Sequence, residues 1–116
     1  MVRVEDVARA ALSGDALMTR ALWAELLVSH RPASEITRPE VDDPDVLALA
    51  ASLSELLAER RDEHPPPWAR DVDPATESHY LLTTRTERRK RKLRELAPPP
   101  LRKRNFFAPP NYLTSV

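Results

Sequence analysis

Apolar positions recur at helical spacing in three stretches of the first 64 residues. The first stretch is followed at once by Gly14, the only glycine of the chain, where a left-handed helix stop is expected. Asp15 can then cap a second helix, predicted over residues 16–29. Because only four positions of that helix are polar, it is predicted to be the central and most buried one.

A third helix is predicted to begin at residues 43–45. Asp43 supplies a capping carboxylate, and Pro44 is favoured at the first helical position. The prolines at 65–67 end this helix. Its apolar positions fall on one face, which consists of Val46, Leu49, Ala50, Leu53, Leu56 and Leu57.

The second half of the chain follows a different pattern. Residues 65–83 form a proline-rich connection that ends in an apolar cluster, Tyr80-Leu81-Leu82. Residues 84–97 predict a fourth helix with a narrow apolar seam, and the prolines at 98–100 stop it. The remainder is predicted to be extended. The sequence therefore predicts an all-α fold: a small three- to four-helix bundle with a proline-rich, largely extended C-terminal tail, forming one compact unit.

Charge divides the 116 residues in a way that their net charge of +0 conceals. Residues 1–83 carry eight arginines against sixteen acids, and residues 84–116 carry ten basic residues against two acids, so the halves have net charges of −8 and +8. We therefore distinguish an acidic helical body (1–64), a connection (65–83) and a basic helix with an aromatic tail (84–116). Such asymmetry indicates an acidic or polyanionic partner for the basic part, or a fold in which the tail lies on its own body.

Composition argues against most enzyme classes. The chain has no cysteine and one glycine, which excludes thiolate metal sites, cysteine nucleophiles and glycine-rich phosphate loops. His30, His64 and His79 fall at helix ends or turns outside any nucleophile motif and are interpreted as exposed loop histidines. We therefore expect no enzymatic activity, no metal and no cofactor. The chain has no apolar run of about 18 residues and no secretory signal, so we expect a cytoplasmic protein without a membrane contact.

The basic segment is the one feature with a clear binding chemistry. Arginine carries a planar fork of donors that matches carboxylates and phosphates, and arginine with aromatic residues is typical of protein interfaces. Binding of nucleic acid through residues 84–104, and packing of the tail on its own body, remain open alternatives. The predicted partner-binding residues are Arg88, Arg89, Arg91, Arg94, Arg102, Arg104, Asn105, Phe106, Phe107 and Tyr112.

The order of residues in the second half also resembles that of a known class of small proteins. The matching positions include Trp68, Val72, Tyr80-Leu81-Leu82, Leu93-Arg94-Glu95-Leu96 and Pro99-Pro100-Leu101-Arg102. The most specific part is Arg104-Asn105-Phe106-Phe107-Ala108-Pro109-Pro110-Asn111-Tyr112-Leu113. Over roughly residues 44–116 the chain resembles small actinobacterial-type proteins that are associated with genes for nucleotidyltransferase-like toxins. The resemblance implies a non-enzymatic antitoxin that binds and neutralises such a toxin, with a protein as its partner.

Overall fold

The longest helix organises the fold. The computed structural model describes residues 2–28, 32–82 and 86–114, and within them helix α3 (Pro44–Arg61) is 18 residues long. The Asp43 carboxylate accepts a hydrogen bond from the Asp45 amide at 2.9 Å, with Pro44 in the first helical position. The helix ends at Asp62, which has a left-handed backbone (φ 54°). The start predicted from the sequence is confirmed.

Two shorter helices precede α3. Helix α1 (Val4–Leu12) is followed by Gly14 with φ +81°, a conformation that costs glycine little because it has no Cβ. Helix α2 (Ala16–Leu27) begins at Asp15, whose carboxylate accepts from the Met18 amide at 3.0 Å. The predicted stop at Gly14 and the predicted cap at Asp15 are confirmed, whereas the predicted end at residue 29 lies outside the described residues.

The central helix is α3, and the prediction that α2 is the most buried one is wrong. Only Thr19, Trp23 and Leu26 of α2 are buried, whereas eleven of the 18 residues of α3 are buried. The reason is the small side chains of α3. Ala48, Ala51 and other small residues let neighbouring elements approach α3 on several sides, although they add little to its hydrophobic pattern.

The second half of the chain contributes a short parallel strand pair and two helices. Helix α4 (Glu87–Leu96) and the short helix α5 (Pro99–Arg102) connect β1 (His79–Tyr80) to β2 (Phe106–Phe107). His79 pairs with Phe106 and Tyr80 with Phe107. Two 3₁₀ helices, Ala33–Glu35 and Pro67–Asp71, flank α3 along the chain.

The proline triplet both ends α4 and begins α5, since a proline is tolerated in the first turn of a helix. The tail that the sequence predicts to be extended contains α5, the strand β2 and turns among its described residues. The predicted start of the fourth helix at residue 84 lies outside the described residues.

The fold is mostly helical, with 57% of the described residues in helices, and is compatible with the all-α class. Its core lies where α3 packs against α1 and the tail, and one side of α2 packs against α1 and extends this core. The tail contributes Leu101, Phe106 and Ala108, all 0% exposed. Among the described helices there is none whose length and apolar character would let it cross a bilayer.

Candidate partner-binding surface

Helix α4 forms for local reasons. The Thr86 hydroxyl accepts a hydrogen bond from the Arg89 amide at 3.3 Å, and Glu87 places an acid in the first turn, where the helix dipole favours it. The rest of the helix consists of arginine, lysine, glutamate and leucine, all good helix formers. Ala97 caps its C-terminus, and its amide donates to the Leu93 carbonyl at 3.0 Å.

Tyr80 supports α4 from the side of the body. The Arg94 guanidinium donates to the Tyr80 hydroxyl at 2.6 Å, and the Lys90 ammonium lies 5.6 Å from the centre of the Tyr80 ring. In the same last turn of α4, the Glu95 carbonyl accepts a hydrogen bond from the Arg102 guanidinium at 2.9 Å. These contacts hold α4 at its body-facing side, yet none of its ten residues is buried.

The remaining cations of α4 form an exposed surface, which we call the α4 basic face: Arg88, Arg89, Arg91 and Lys92. All four are exposed, and none of their side chains has a hydrogen bond or ion pair with another residue in the described ranges. Leu96, which is also exposed, lies one helical turn beyond Lys92. The α4 basic face can therefore donate to carboxylates or phosphates at no cost in internal contacts.

The structure divides the exposed members of the predicted partner-binding set into two groups. Arg88, Arg89 and Arg91 lie on the α4 basic face, together with Lys92, which the sequence-based set did not include. Arg94 and Arg102 are exposed but donate to groups of the chain itself. A helical wheel of residues 87–96 would have placed Lys92 beside Arg88, because the two are four residues apart.

Arg104, which the sequence predicts as a contact residue, belongs to the interior of this fold and is not exposed to a partner. Its guanidinium is 3% exposed, forms an ion pair with Glu55 of α3, and donates to the carbonyls of Ala69 at 2.5 Å and Val72 at 3.3 Å. Lys103 reaches the other oxygen of Glu55 at 2.9 Å. The tail is thereby tied to α3 and to the segment that follows it.

The tail aromatics and Asn105, also among the predicted contact residues, contact the body of the protein, with Phe106 and Phe107 buried and Asn105 and Tyr112 half-buried. Phe106 is 0% exposed and stacks on His79 at 5.3 Å between ring centres, and Phe107 lies 5.4 Å from the Tyr80 ring. The Asn105 amide donates to the Ala75 carbonyl at 2.6 Å. While this fold persists, a partner cannot reach the buried rings.

Two of the histidines can now be placed. His79 is not an exposed loop histidine, because it lies in β1 with its Nε2 3.3 Å from the Asp45 carboxylate. His64 is exposed, and His30 lies outside the described residues. Across the part of the chain that the structure describes, no three histidine or carboxylate side chains are grouped so that they could hold a metal ion.

Tyr112 shows that the last turn of the tail is docked. Its ring packs against the core, and burial raises the pKa of its phenol to about 12. An unfolded tyrosine ionises near pH ~10. The stabilisation from the neutral buried phenol is therefore complete below about pH 10 and is lost as the pH rises towards about 12.

We expect a titration followed by phenolate absorbance to show a step near pH 12 that Tyr112→Phe removes. Tyr80→Phe is the matched control and should leave that step in place. A step that survives in Tyr112→Phe would contradict the docked position of the tail.

Comparison with known proteins returns no similarity: no family model, no curated protein and no solved structure matches this chain. The surface is therefore interpreted from its own chemistry.

Proposed function

We propose that the protein is a non-enzymatic, cytoplasmic partner-binding protein of the antitoxin type, which binds its cognate toxin through the α4 basic face. The observation that carries the proposal is the exposure of four cations that have no hydrogen bond or ion pair within the described ranges. Helix α4 contributes no buried residue to the core, so its outer side is available to a partner. Tyr80 contacts Arg94 and Lys90 on the body-facing side, which leaves the cations of the α4 basic face unengaged.

The chemistry of the face fits a protein that handles nucleotides. Phosphoryl-transfer sites collect carboxylates around their metal ions and bind the phosphates of the substrate. An arginine fork can bind either group with two parallel hydrogen bonds. The resemblance of the second half to proteins encoded beside nucleotidyltransferase-like toxin genes supports such a toxin as the partner.

One observation favours a protein over a nucleic acid. Arg89, Lys92 and Leu96 lie along one row of α4, and Leu96 is 54% exposed. An exposed leucine beside cations offers an apolar anchor, which a protein surface can bury and a phosphate backbone cannot.

A nucleic-acid-binding accessory protein is the second candidate. It is favoured by the burial of Phe106 and Phe107, since the exposed face is left with cations as its main recognition groups. Binding of this kind depends on phosphate neutralisation and falls steeply with salt.

The test is co-expression of the chain with the products of the genes that flank its own, among which the proposal expects a nucleotidyltransferase-like toxin. We expect the chain to copurify with that toxin and to suppress its toxicity. Arg88→Glu together with Lys92→Glu should raise the Kd about 30-fold to 1,000-fold, because two interface cations become repulsive. Arg38→Glu with Arg70→Glu changes the charge equally on an exposed part of the body and should leave the Kd unchanged.

The same purified protein can be used to distinguish the two candidate functions. Titration with duplex and single-stranded nucleic acid at about 50 and 200 mM salt should show little binding if the partner is a protein. Tight binding at low salt that the α4 reversals abolish would support the second candidate instead. Failure to copurify, or a toxin complex insensitive to the α4 reversals, would overturn the proposed role of α4.

A further inference from the structure

Helix α2 presents an apolar stripe to solvent. Leu17 is 83% exposed and Val28, directly after the helix, is 66% exposed; Ala21 and Ala24 between them are exposed as well. The four positions are spaced by four, three and four residues, which places them on one side of the helix. The buried residues Thr19, Trp23 and Leu26 occupy the opposite side. The helical pattern predicts that these apolar positions are buried in the core. The structure instead leaves them exposed to solvent.

Two opposite charges flank this stripe. Arg20 lies along one edge and Glu25 along the other, five residues further on, and both are exposed. Neither has an ion pair or hydrogen bond through its side chain within the described ranges. In the heptad repeat of a parallel coiled coil, the stripe residues occupy the a and d positions at the contact. Arg20 then occupies a g position and Glu25 an e position, which flank the contact. Those flanking positions meet between neighbouring helices.

We propose that this stripe is the contact surface of a homodimer, in which the α2 helices of two copies pack in parallel. Leu17, Ala21, Ala24 and Val28 meet the same residues of the second copy. Arg20 of each copy then lies beside Glu25 of the other, so that the symmetric pair carries two ion pairs. This proposal does not depend on the role proposed for α4.

The charges select the parallel orientation. In an antiparallel pair each edge of the stripe lies beside the same edge of the second helix. Arg20 would then lie beside Arg20 of the second copy, and Glu25 would lie beside Glu25 of the second copy on the opposite edge of the contact. Only the parallel arrangement brings the unlike charges together.

The expected affinity follows from the length of the helix. Twelve residues span about 18 Å, and two such helices cover less than the roughly 800 Å² per partner of a standard interface. We therefore expect a dimer that forms with increasing protein concentration. Alanine at the two middle positions lets the helix axes approach closely.

Cysteine cross-linking tests the orientation directly, because the natural chain contains no cysteine. In a parallel dimer, Leu17→Cys lies beside its counterpart and should form a disulfide-linked dimer under mild oxidation. In an antiparallel dimer the two sites would be about 16 Å apart along the axis, given a rise of about 1.5 Å per residue. Ser78→Cys is the matched exposed control and should remain monomeric. Equal cross-linking of the two variants would overturn the parallel contact.

A charge swap tests the pairing. In sedimentation equilibrium, Arg20→Glu and Glu25→Arg should each raise the dimer dissociation constant at least fivefold, and the double variant should restore it. Glu77→Arg is a matched reversal at an exposed site away from α2. Circular dichroism checks that the variants remain folded, since only exposed side chains are changed. The proposal would be overturned if the protein stays monomeric up to millimolar concentration. It would also be overturned if the double variant has a dimer dissociation constant as high as those of the single variants.

Discussion

Arg104→Ala should lower the free energy of unfolding by about 3 to 5 kcal/mol, the range for removing one partner of a buried ion pair. The substitution leaves the Glu55 carboxylate, itself 11% exposed, with only the half-exposed Lys103 ammonium as an ionic partner. It also leaves the carbonyls of Ala69 and Val72 without their donor. Since a domain of this kind is stable by only about 5 to 15 kcal/mol, urea denaturation should show a large shift of the midpoint.

Arg102→Ala is the matched control, two residues away and exposed. It removes one hydrogen bond to the Glu95 carbonyl and should change the unfolding free energy by less than about 1 kcal/mol. Arg104→Lys should fall between the two, because an ammonium keeps the charge but cannot reach all three acceptors at once. An unfolding curve of Arg104→Ala that coincides with that of Arg102→Ala would show that the Glu55 pair does not hold the tail.

Phe106→Ala should destabilise the protein by about 3 to 5 kcal/mol, as expected for a large aromatic side chain removed from a core. The ring is 0% exposed and stacks on His79, so its loss leaves a cavity between the tail and the body. Thermal unfolding followed by circular dichroism measures the change. Leu96→Ala, at a side chain 54% exposed, should have an effect near zero. Equal losses in the two variants would contradict the packing of the tail on its body.

Helix starts and stops were predictable because they depend on neighbouring residues. Asp43 with Pro44, and Gly14 with Asp15, each satisfy backbone groups within one turn. A local sequence pattern contains all the information that such a cap needs.

Relative burial of the helices was not predictable, because it depends on how many sides of a helix are covered. Helix α2 has the higher proportion of large apolar residues, six of 12 against six of 18 in α3, yet Leu17 in the helix and Val28 directly after it remain in solvent. Helix α3 is covered on several sides, and even its serines are buried: the Ser54 hydroxyl donates to the Ala50 carbonyl at 2.8 Å. Hydrophobicity measures what a residue gains from burial and not whether a neighbour exists to bury it.

The candidate site was predictable in part. A run of cations is nearly always exposed, and Arg88, Arg89 and Arg91 are exposed here. The same composition rule failed at Arg104, because its charge is compensated by Glu55, 49 residues earlier in the chain. No local pattern reveals a partner at that separation. Aromatic side chains in the tail favour burial against some surface. In this structure Phe106 and Phe107 are buried against the protein itself and not against a partner.

Helix α4 is held to the rest of the protein near its C-terminal end and contributes no buried residue to the core. The residues proposed to bind a partner and the residues that keep the protein folded are therefore different sets. Substitutions on the outer side of α4 can accumulate with little loss of stability, so a lineage can change its binding specificity in single steps. Under the proposed function, a diverging partner could be followed by changes confined to one ten-residue helix. The same separation makes α4 the natural place to engineer a new specificity.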